Sequence, residues 1–255
     1  MFDLKGKVAV ITGASSGLGA DAAIAYAKSG ANVALLARRI EKLENVAEEI
    51  KKLGVEVIAV KCDVSNEESV KKAVEEVLNK FGKIDILLNN AGVAVRGDVV
   101  NLKEDEWDRS FNTNVKGIYL MSKYVIPNMQ KNKYGKIVNV ASINAVIGDK
   151  QDIFVRHSYN ASKSAVVGLT MGMATYYGKD NITVNAVGPG LFESEMTEST
   201  LFKSDDFMKM YSAQNPMSRA GKRGELNGPI LFLSSDESSY VNGQFIVVDG
   251  GIKFV

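Results

Sequence analysis

Two side chains that can exchange protons stand four residues apart in the second half of the chain, Tyr159 and Lys163. The surrounding sequence predicts a helix over Tyr159–Tyr177, and residues four apart on a helix project from one face. A phenol ordinarily keeps its proton until about pH 10, but a nearby ammonium favours the phenolate and lowers its pKa. The pair therefore indicates an acid/base site, although the same spacing also occurs on helices without any catalytic role.

A hydroxyl that could assist this pair belongs to Ser142, which ends the fifth predicted strand after Lys136–Val140. Ligands of parallel sheets bind at the carboxyl ends of the strands. The Ser142 hydroxyl could hold a substrate oxygen there, or it could serve only as a turn or cap residue.

A glycine-rich turn follows the first predicted strand, Val8–Ile11, and opens the first predicted helix. Glycine lacks a Cβ, so backbone amides can approach a pyrophosphate, and the helix N-terminus adds favourable partial charge. The spacing is Gly-x-x-x-Gly-x-Gly, unlike the commoner Gly-x-Gly-x-x-Gly, and Gly-Lys-Ser/Thr is absent. We expect dinucleotide binding rather than triphosphate binding, with a purely structural loop as the alternative. The residues concerned are Gly13, Ser15, Ser16, Gly17, Leu18 and Gly19.

The end of the second predicted strand, Val33–Ala37, indicates which dinucleotide would bind. An acidic residue at this position bonds the 2′-hydroxyl of NAD(H), whereas an arginine suits the 2′-phosphate of NADP(H). The chain has Arg38 and Arg39 here and no carboxylate. We therefore expect NADP(H) rather than NAD(H), with Arg38 the stronger candidate for the phosphate contact, whereas Arg39 could equally well face solvent.

The elements that must position these groups alternate along the chain. Short apolar runs predict strands and longer amphipathic stretches predict helices, a pattern typical of βαβ units and a parallel sheet covered by helices on both faces. The further predicted strands are Val55–Val60, Ile84–Leu88, Ile182–Val187 and Phe245–Val248. The further predicted helices are Ala20–Ser29, Glu41–Leu53, Asn66–Phe81, Gly224–Leu233 and a long helical region over Trp107–Asn132.

Composition excludes several classes of function. The net charge is +1 and acidic residues are interleaved with the lysines, so nucleic-acid binding has no electrostatic support. A single cysteine, Cys62, and a single histidine, His157, leave neither a disulfide nor a Cys/His metal site. The only apolar run near the start, Val8–Ile11, is too short for a signal peptide or a membrane span. We expect one domain over residues 1–255 and a cytoplasmic location.

Several motifs in sequence order resemble those of the short-chain dehydrogenase/reductase family over nearly the whole length of the chain. They are the glycine turn, Asp63-Val64, Asn89-Asn90-Ala91-Gly92, Asn112-Thr113-Asn114-Val115, Ser142, Tyr159-Asn160-Ala161-Ser162-Lys163, Pro189-Gly190 and Val248-Asp249-Gly250-Gly251. The resemblance implies a single Rossmann-like domain with seven parallel strands, and hydride transfer between a nicotinamide and a ketone or secondary alcohol. It also implies a homodimer or homotetramer assembled through the two long central helices.

The resemblance also implies roles for individual residues. Tyr159 would be the acid/base, Lys163 would lower its pKa and hold the nicotinamide ribose, Ser142 would position the carbonyl, and Asn114 would anchor a water in a proton relay with Lys163. The residues expected along the cofactor are Asp63 and Val64 by the adenine, Asn90 with Ala91 and Gly92, and Pro189, Gly190 and Ser194 toward the nicotinamide.

The substrate is less closely defined. Ser142 and Tyr159 are 17 residues apart, several more than is common in the family, so Ile147–His157 is expected to form an extended loop beside the pocket. Leu191–Pro216 is rich in methionine and aromatic residues and could be a mobile lid or ordinary packed helix. Similarity to gluconate 5-dehydrogenase-like, 3-oxoacyl carrier-protein reductase-like and hydroxysteroid dehydrogenase members leaves a polyol or keto-sugar acid, an acyl chain or a steroid open. A catalytically silent NADP(H)-binding regulator is the alternative function.

Overall fold

A computed structural model describes residues 2–148, 154–193 and 202–255. Within these ranges, seven parallel strands form one sheet in the order β3-β2-β1-β4-β5-β6-β7. The strands are β1 (Val8–Thr12), β2 (Asn32–Ala37), β3 (Val57–Lys61), β4 (Ile86–Asn89), β5 (Gly135–Val140), β6 (Ile182–Pro189) and β7 (Phe245–Val248). The chain runs outward from β1 to β3 and then returns to β4 on the other side of β1. This reversal creates a crevice at the carboxyl ends of β1 and β4, where ligands of such sheets bind.

Helices cover both faces of the sheet. They are α1 (Gly17–Lys28), α2 (Ile40–Lys51), α3 (Glu67–Phe81), α4 (Glu104–Phe111), α5 (Gly117–Asn132), α6 (His157–Tyr177), α7 (Asp205–Gln214) and α8 (Asn227–Ser234). One apolar layer joins the sheet to α3, α5 and α6, and a second joins it to α1, α2 and α8. Because both faces are covered, every residue of β1, β5 and β6 is buried. The predicted fold class is confirmed.

Local sequence signals explain where elements begin and end. The side chain of Asn66 accepts a hydrogen bond from the backbone amide of Ser69 and caps α3, and Gly82 ends the helix in the left-handed conformation. Val70, Ala73, Val74 and Val77 form the buried face of α3, as the predicted periodicity requires.

The long helical region predicted over Trp107–Asn132 begins earlier and is interrupted. It comprises α4, a π-helical turn over Asn112–Lys116, and α5. The early start follows from the bond between the Lys103 amide and the Glu106 carboxylate, which satisfies a free donor at the helix end. A π-turn adds a residue to the helical repeat and is frequent at functional sites.

Other predicted boundaries differ by one to three residues, because helix ends depend on caps more than on apolar spacing. Helix α8, for example, begins at Asn227 rather than Gly224, whose positive φ of 85° lies outside helical geometry. No helix among the described residues is long and apolar enough to cross a membrane. Nor do the described residues bring three or more His, Cys, Asp or Glu side chains together as metal ligands would require.

Candidate active site

A cavity of about 1250 Å³ opens along the carboxyl ends of the strands. One end is formed by the glycine turn after β1 and by the arginines after β2, and the other by the first turn of α6 and by α7. We call these the turn end and the substrate end. The cavity therefore crosses the crevice between β1 and β4, and it joins the predicted nucleotide-binding and acid/base groups in one space.

The glycine turn is attached to the end of β4 by short polar contacts. The hydroxyl of Thr12 accepts hydrogen bonds from the backbone amides of Asn90 and Ala91, each at 3.0 Å. The side-chain amide of Asn90 donates to the carbonyls of Thr12 at 3.0 Å and Gly13 at 3.3 Å. Asn90 therefore holds the turn against β4, a structural task that its sequence motif did not reveal. Thr12 was not predicted as a site residue, because nothing in the sequence shows which atoms its hydroxyl meets.

Two of the three glycines are required by their surroundings. Gly13 has a φ of 67°, and a Cβ there would lie 2.9 Å from the Cα of Ala91. Gly19 faces the Asn90 side chain and the Gly13 carbonyl so closely that a Cβ would collide with both. The turn therefore packs backbone against backbone, which places amides at the cavity surface.

Arg39 lies over the glycine turn. One of its guanidinium nitrogens, Nη2, donates to the hydroxyls of Ser15 at 3.2 Å and Ser16 at 3.1 Å. Arg38 also lines the cavity, and both arginines are exposed. Arg39, Ser15 and Ser16 together offer a cation and two hydroxyl groups to an anion at this corner.

The residues after β3 line the same end of the cavity. Oδ1 of Asp63 accepts bonds from the amide of Ser65 at 3.0 Å and from its hydroxyl at 2.7 Å. Val64 contacts the helix opposite, where a Cβ on Gly117 would come within 2.8 Å of its side chain. Asp63 and Val64 thus have fixed positions on the cavity wall.

Tyr159, the predicted acid/base group, lies beside Ser142, whose hydroxyl was predicted to assist it. The side chains of Ser142 and Tyr159, 17 positions apart in the sequence, hydrogen-bond to each other, and both line the cavity. Ser142 also caps a short 3-10 turn by accepting from the amide of Asn144 at 3.2 Å. Ser142 thus has the capping role that the sequence offered as an alternative to holding a substrate oxygen, and its hydroxyl also contacts Tyr159.

Lys163 lies one helical turn beyond Tyr159 and is almost wholly buried, with 4% of its surface exposed. Its Nζ donates to the carbonyl of Val140 at 2.7 Å, and it lies 5.6 Å from the centre of the Tyr159 ring. Burial disfavours the charged form and lowers the pKa of Lys163 to about 8.

The sequence-based prediction of a lowered pKa for Tyr159 is not met in this structure. Burial of the hydroxyl raises its pKa, and this effect outweighs the hydrogen bond from Ser142 and the positive charge of Arg156, which act in the opposite direction. Lys163 is not among the groups that shift it, because its ammonium faces Val140 rather than the phenol. Tyr159 therefore holds its proton firmly here.

Asn114 lies in the π-turn and is completely buried. Its amide nitrogen donates to the carbonyl of Val93 at 2.9 Å and to the hydroxyl of Ser162 at 3.0 Å, while Oδ1 accepts from the amide of Val93 at 2.8 Å. One lone pair of Oδ1 is left for another donor. A Cβ on Gly92 would lie 3.2 Å from this oxygen and 3.5 Å from Nζ of Lys163, so the absence of a side chain at Gly92 keeps the space beside both atoms open.

The end of β6 completes the wall. Pro189 and Gly190 line the cavity, and the amide of Gly190 donates to the carbonyl of Val248 at 2.9 Å. A Cβ on Gly190 would lie 2.9 Å from that of Asp249, which explains the glycine. Ser194 lies outside the described residues.

Comparisons with known proteins agree with this geometry. A family model described as "Enoyl-(Acyl carrier protein) reductase" matches residues 13–253. The 3-oxoacyl-[acyl-carrier-protein] reductase FabG of Thermotoga maritima is 39% identical over 249 residues, covering 98% of each chain. The chain belongs to the short-chain dehydrogenase/reductase family. As a member, it is an oxidoreductase that uses a nicotinamide cofactor and transfers hydride to or from a ketone or secondary alcohol.

Solved structures of family members have the same fold. A short-chain type dehydrogenase/reductase from Mycobacterium marinum is 36% identical, covers 98% of this chain and 97% of its own, and superposes with a TM-score of 0.93. A gluconate 5-dehydrogenase from Burkholderia cenocepacia, determined in complex with NADP and tartrate, is 31% identical. That match covers 100% of this chain and 98% of the other, also with a TM-score of 0.93.

The substrate end of this short-chain dehydrogenase/reductase is built from the two stretches that the sequence left open. Of the extended loop over 147–157, residues 149–153 lie outside the described residues. The flanking residues are held to α6, because the side-chain amide of Asn160 donates to the carbonyls of Asn144 at 3.0 Å and Ile147 at 2.8 Å. His157 is exposed, and its Nδ1 accepts from the backbone amide of Val99 at 2.9 Å, a structural contact.

An aromatic contact closes this end of the cavity. The ring of Phe154 lies 5.3 Å from that of Phe207 on α7, and Phe207 lies 6.1 Å from Tyr211 on the same helix. Helix α7 is part of the stretch Leu191–Pro216 and has no fully buried residue. Ser204 caps it by accepting from the amide of Phe207 at 3.3 Å. Phe154 was not singled out in the sequence, because aromatic residues are common in loops and its partner lies about 50 positions away.

Proposed function

We propose that the chain is an NADP(H)-dependent carbonyl reductase or alcohol dehydrogenase in which Tyr159 transfers the proton. The observation that carries the proposal is the hydrogen-bonded pair of Ser142 and Tyr159, which lines the same cavity as Lys163 and the Arg39-covered glycine turn. A nucleotide-binding protein without catalysis has no need of a phenol paired with a hydroxyl at the far end of the cavity.

The preference for NADP(H) over NAD(H) is supported by the corner at Arg39. A 2′-phosphate would meet its guanidinium and the hydroxyls of Ser15 and Ser16, whereas a carboxylate that could bond a 2′-hydroxyl is absent from Leu36-Ala37-Arg38-Arg39. The related gluconate 5-dehydrogenase of Burkholderia cenocepacia was determined with NADP. Because Arg39 bonds to Ser15 and Ser16, Arg38 at the same corner would play the smaller part.

The residues of the cavity fit a dinucleotide along its whole length. We assign to the adenosine and pyrophosphate Gly13, Ser15, Ser16, Gly17, Leu18, Gly19, Arg38, Arg39, Asp63, Val64, Asn90, Ala91 and Gly92. We assign to the nicotinamide end Tyr159, Lys163, Pro189, Gly190 and, from the sequence alone, Ser194. When bound, NADP(H) supplies or accepts the hydride, and the protein orients it and handles the proton.

In the reductive direction, the hydroxyls of Ser142 and Tyr159 would donate hydrogen bonds to the carbonyl oxygen of the substrate. Tyr159 would then give its proton to that oxygen as the alcohol forms. The raised pKa of Tyr159 suits this role, because the phenol is fully protonated at neutral pH. Oxidation of an alcohol needs the phenolate, so it would require the additional positive charge of an oxidised nicotinamide.

Lys163 and Asn114 would support this transfer. With a pKa of about 8, Lys163 is mostly protonated at neutral pH and can donate to ribose hydroxyls. The open space beside Gly92 adjoins Oδ1 of Asn114 and Nζ of Lys163, polar groups of the kind that hold a water. A water there would carry protons between Lys163 and solvent, which is the role proposed for Asn114.

We also propose that the chain works as a cytoplasmic homodimer or homotetramer built from a single domain. Apolar side chains stand exposed on the two long helices, including Tyr119 on α5 and Met171 and Tyr176 on α6, between 49% and 60% exposed. Cys62, buried and with its pKa raised to about 11 by burial, would remain a reduced thiol. Sedimentation of the purified protein measures the oligomeric state.

A cofactor competition followed by a substrate panel tests the proposal. NADPH is expected to bind at least tenfold more tightly than NADH, and its oxidation should be accelerated by one or more ketones among polyol or keto-acid, acyl and steroid compounds. Tight NADPH binding with no turnover of any of these would favour the regulatory alternative. Equal use of both cofactors would overturn the assignment of Arg39.

A further inference from the structure

Arg156 is held rigidly at the mouth of the substrate end. It is the last residue before α6, and its neighbours in the chain bond to Gly97 on both sides. The amide of Gly97 donates to the carbonyl of Val155 at 3.1 Å, and the amide of His157 donates to the carbonyl of Gly97 at 3.1 Å. The backbone of Arg156 therefore cannot shift without breaking the contact between α6 and the loop after β4.

Arg156 lines the same cavity as the reacting groups Ser142 and Tyr159. Arg156 lines the cavity, is only partly exposed, and its charge acts on the Tyr159 hydroxyl. Arg156 directly precedes the first turn of α6, which carries Tyr159. A ligand whose carbonyl meets Tyr159 therefore lies in a cavity that also contains this cation.

The charge around Arg156 favours an anion. Among the described residues that line the cavity, Asp63 is the only one with an acidic side chain, and it lies after β3 at the turn end. At the substrate end, Arg156 and Lys163 supply positive charge, and the N-terminus of α6 adds partial positive charge. The aromatic side chains of Phe154, Phe207 and Tyr211 line the same end, which favours a compact ligand with one charged end.

We propose that the substrate is a small oxo- or hydroxycarboxylate whose carboxylate is bound by Arg156 while Ser142 and Tyr159 hold its carbonyl or hydroxyl oxygen. This rests on the proposed function and selects, from the polyol, keto-acid, acyl and steroid compounds left open there, the keto-acids and their hydroxy acids. A guanidinium has five N–H donors, so Arg156 can keep contacts within the protein and still offer a pair of donors to a carboxylate. The residue is a specificity determinant rather than part of the proton transfer.

Binding to the NADPH complex tests this without turnover, because a reduced cofactor cannot oxidise a hydroxy acid. The probes are tartrate and its uncharged dimethyl ester, titrated into the enzyme–NADPH complex and followed by cofactor fluorescence. Tartrate is expected to bind more tightly than the ester. Arg156→Gln should lower the affinity for tartrate roughly 10- to 100-fold and leave the affinity for the ester unchanged. The tartrate affinity of Arg156→Lys should lie between those of the wild type and Arg156→Gln, since lysine keeps the charge and loses the paired donors.

Turnover of a matched pair provides the second measurement. Acetoacetate and methyl acetoacetate carry the same ketone and differ mainly in charge. Arg156→Gln is expected to raise KM for acetoacetate with little change in kcat, and to leave methyl acetoacetate and the NADPH affinity unaltered. Arg96→Gln is the matched control, because Arg96 is exposed on the adjoining loop and does not line the cavity.

The outcomes separate this inference from the proposed function. A wild-type complex that does not favour the acid over its ester, or an Arg156→Gln variant that weakens both equally, overturns the carboxylate assignment while NADPH-dependent ketone reduction stands. Failure of NADPH to bind the wild-type protein overturns the proposed function itself.

Discussion

The turn end and the substrate end of the cavity are held together in different ways. At the turn end, backbone lies against backbone, and the contacts of Thr12 and Asn90 join β1 to β4. At the substrate end, α7 has no buried residue and meets the opposite wall through the rings of Phe154 and Phe207. Side chains on α7 can therefore be exchanged at small cost, whereas the turn tolerates few changes. Under the proposed function, the rigid turn end would bind the cofactor and the more adaptable substrate end would select the substrate.

The largest effect on activity is expected at Tyr159, the proposed proton donor. Tyr159→Phe removes the proton donor and should lower kcat/KM for ketone reduction roughly 10²- to 10⁴-fold. NADPH affinity, measured by fluorescence titration, should be unchanged, because the turn end is untouched. Near-normal turnover in this variant would show that another group transfers the proton.

The next largest effect is expected on the free energy of unfolding, when a glycine of the turn end is replaced. Gly19→Ala would force a methyl group against Asn90 and the Gly13 carbonyl, and should lower the free energy of unfolding by about 1–3 kcal/mol. Gly228→Ala is the matched control, since a Cβ on this α8 residue meets nothing within 4 Å and alanine favours helix. Urea unfolding of both variants measures the difference. Equal stability would mean that the turn is looser than its contacts indicate.

The preference for NADPH over NADH should depend on the arginines at the turn end. Arg39→Gln should reduce kcat/KM with NADPH roughly 10- to 100-fold and leave NADH nearly unaffected, because a charge-assisted contact to phosphate is lost. Arg38→Gln should have the smaller effect, since Arg39 alone of the two bonds to Ser15 and Ser16. The reverse order would mean that Arg38 carries the phosphate contact.

The pH dependence should come from Lys163. Its pKa is lowered to about 8, so the ammonium is present below that pH and lost above it. The pKa of Tyr159 is raised, so the phenol stays protonated over the same interval. We expect kcat/KM for reduction to be flat below about pH 8 and to fall roughly tenfold per unit above it. A profile that stays flat through pH 9 would show that the charge on Lys163 is not needed.

The smallest effect is expected on α7. Phe207→Ala removes an aromatic contact worth about 0.5–1.5 kcal/mol and should raise KM for the ketone up to about tenfold. The melting temperature should change little, because Phe207 is only partly buried. A loss of stability as large as that of Gly19→Ala would remove the distinction between the two ends.

The sequence predicted most of the fold because its signals are local. Apolar runs define the strands, and residues such as Asn66 and Gly82 mark the ends of α3. Helix α7 escaped a definite prediction, since an element without a buried face has no apolar periodicity. The π-turn at Asn114 was missed for a related reason, because an extra residue in a helical turn leaves no compositional trace.

At the site, the sequence predicted which residues lie near each other but not their electrostatics. Ser142 and Tyr159 meet as expected from a strand end and the following helix. The pKa direction of Tyr159 was wrong for this structure, because burial depends on every element around the cavity, whereas the helical spacing shows only its neighbour Lys163. Likewise, the sequence favoured Arg38 over Arg39 for the phosphate contact, whereas Arg39 is the one that bonds to the glycine turn.

The Thr12 hydroxyl has one further consequence for how the crevice can open. It accepts the amides of Asn90 and Ala91 and donates to the carbonyl of Leu88 at 3.4 Å, so a single oxygen on β1 bonds to three backbone groups of the next strand and its loop. Each of these two amides must break its bond to Thr12 before it can exchange with solvent, so we expect both to exchange more slowly than unbonded amides at the rim of the crevice.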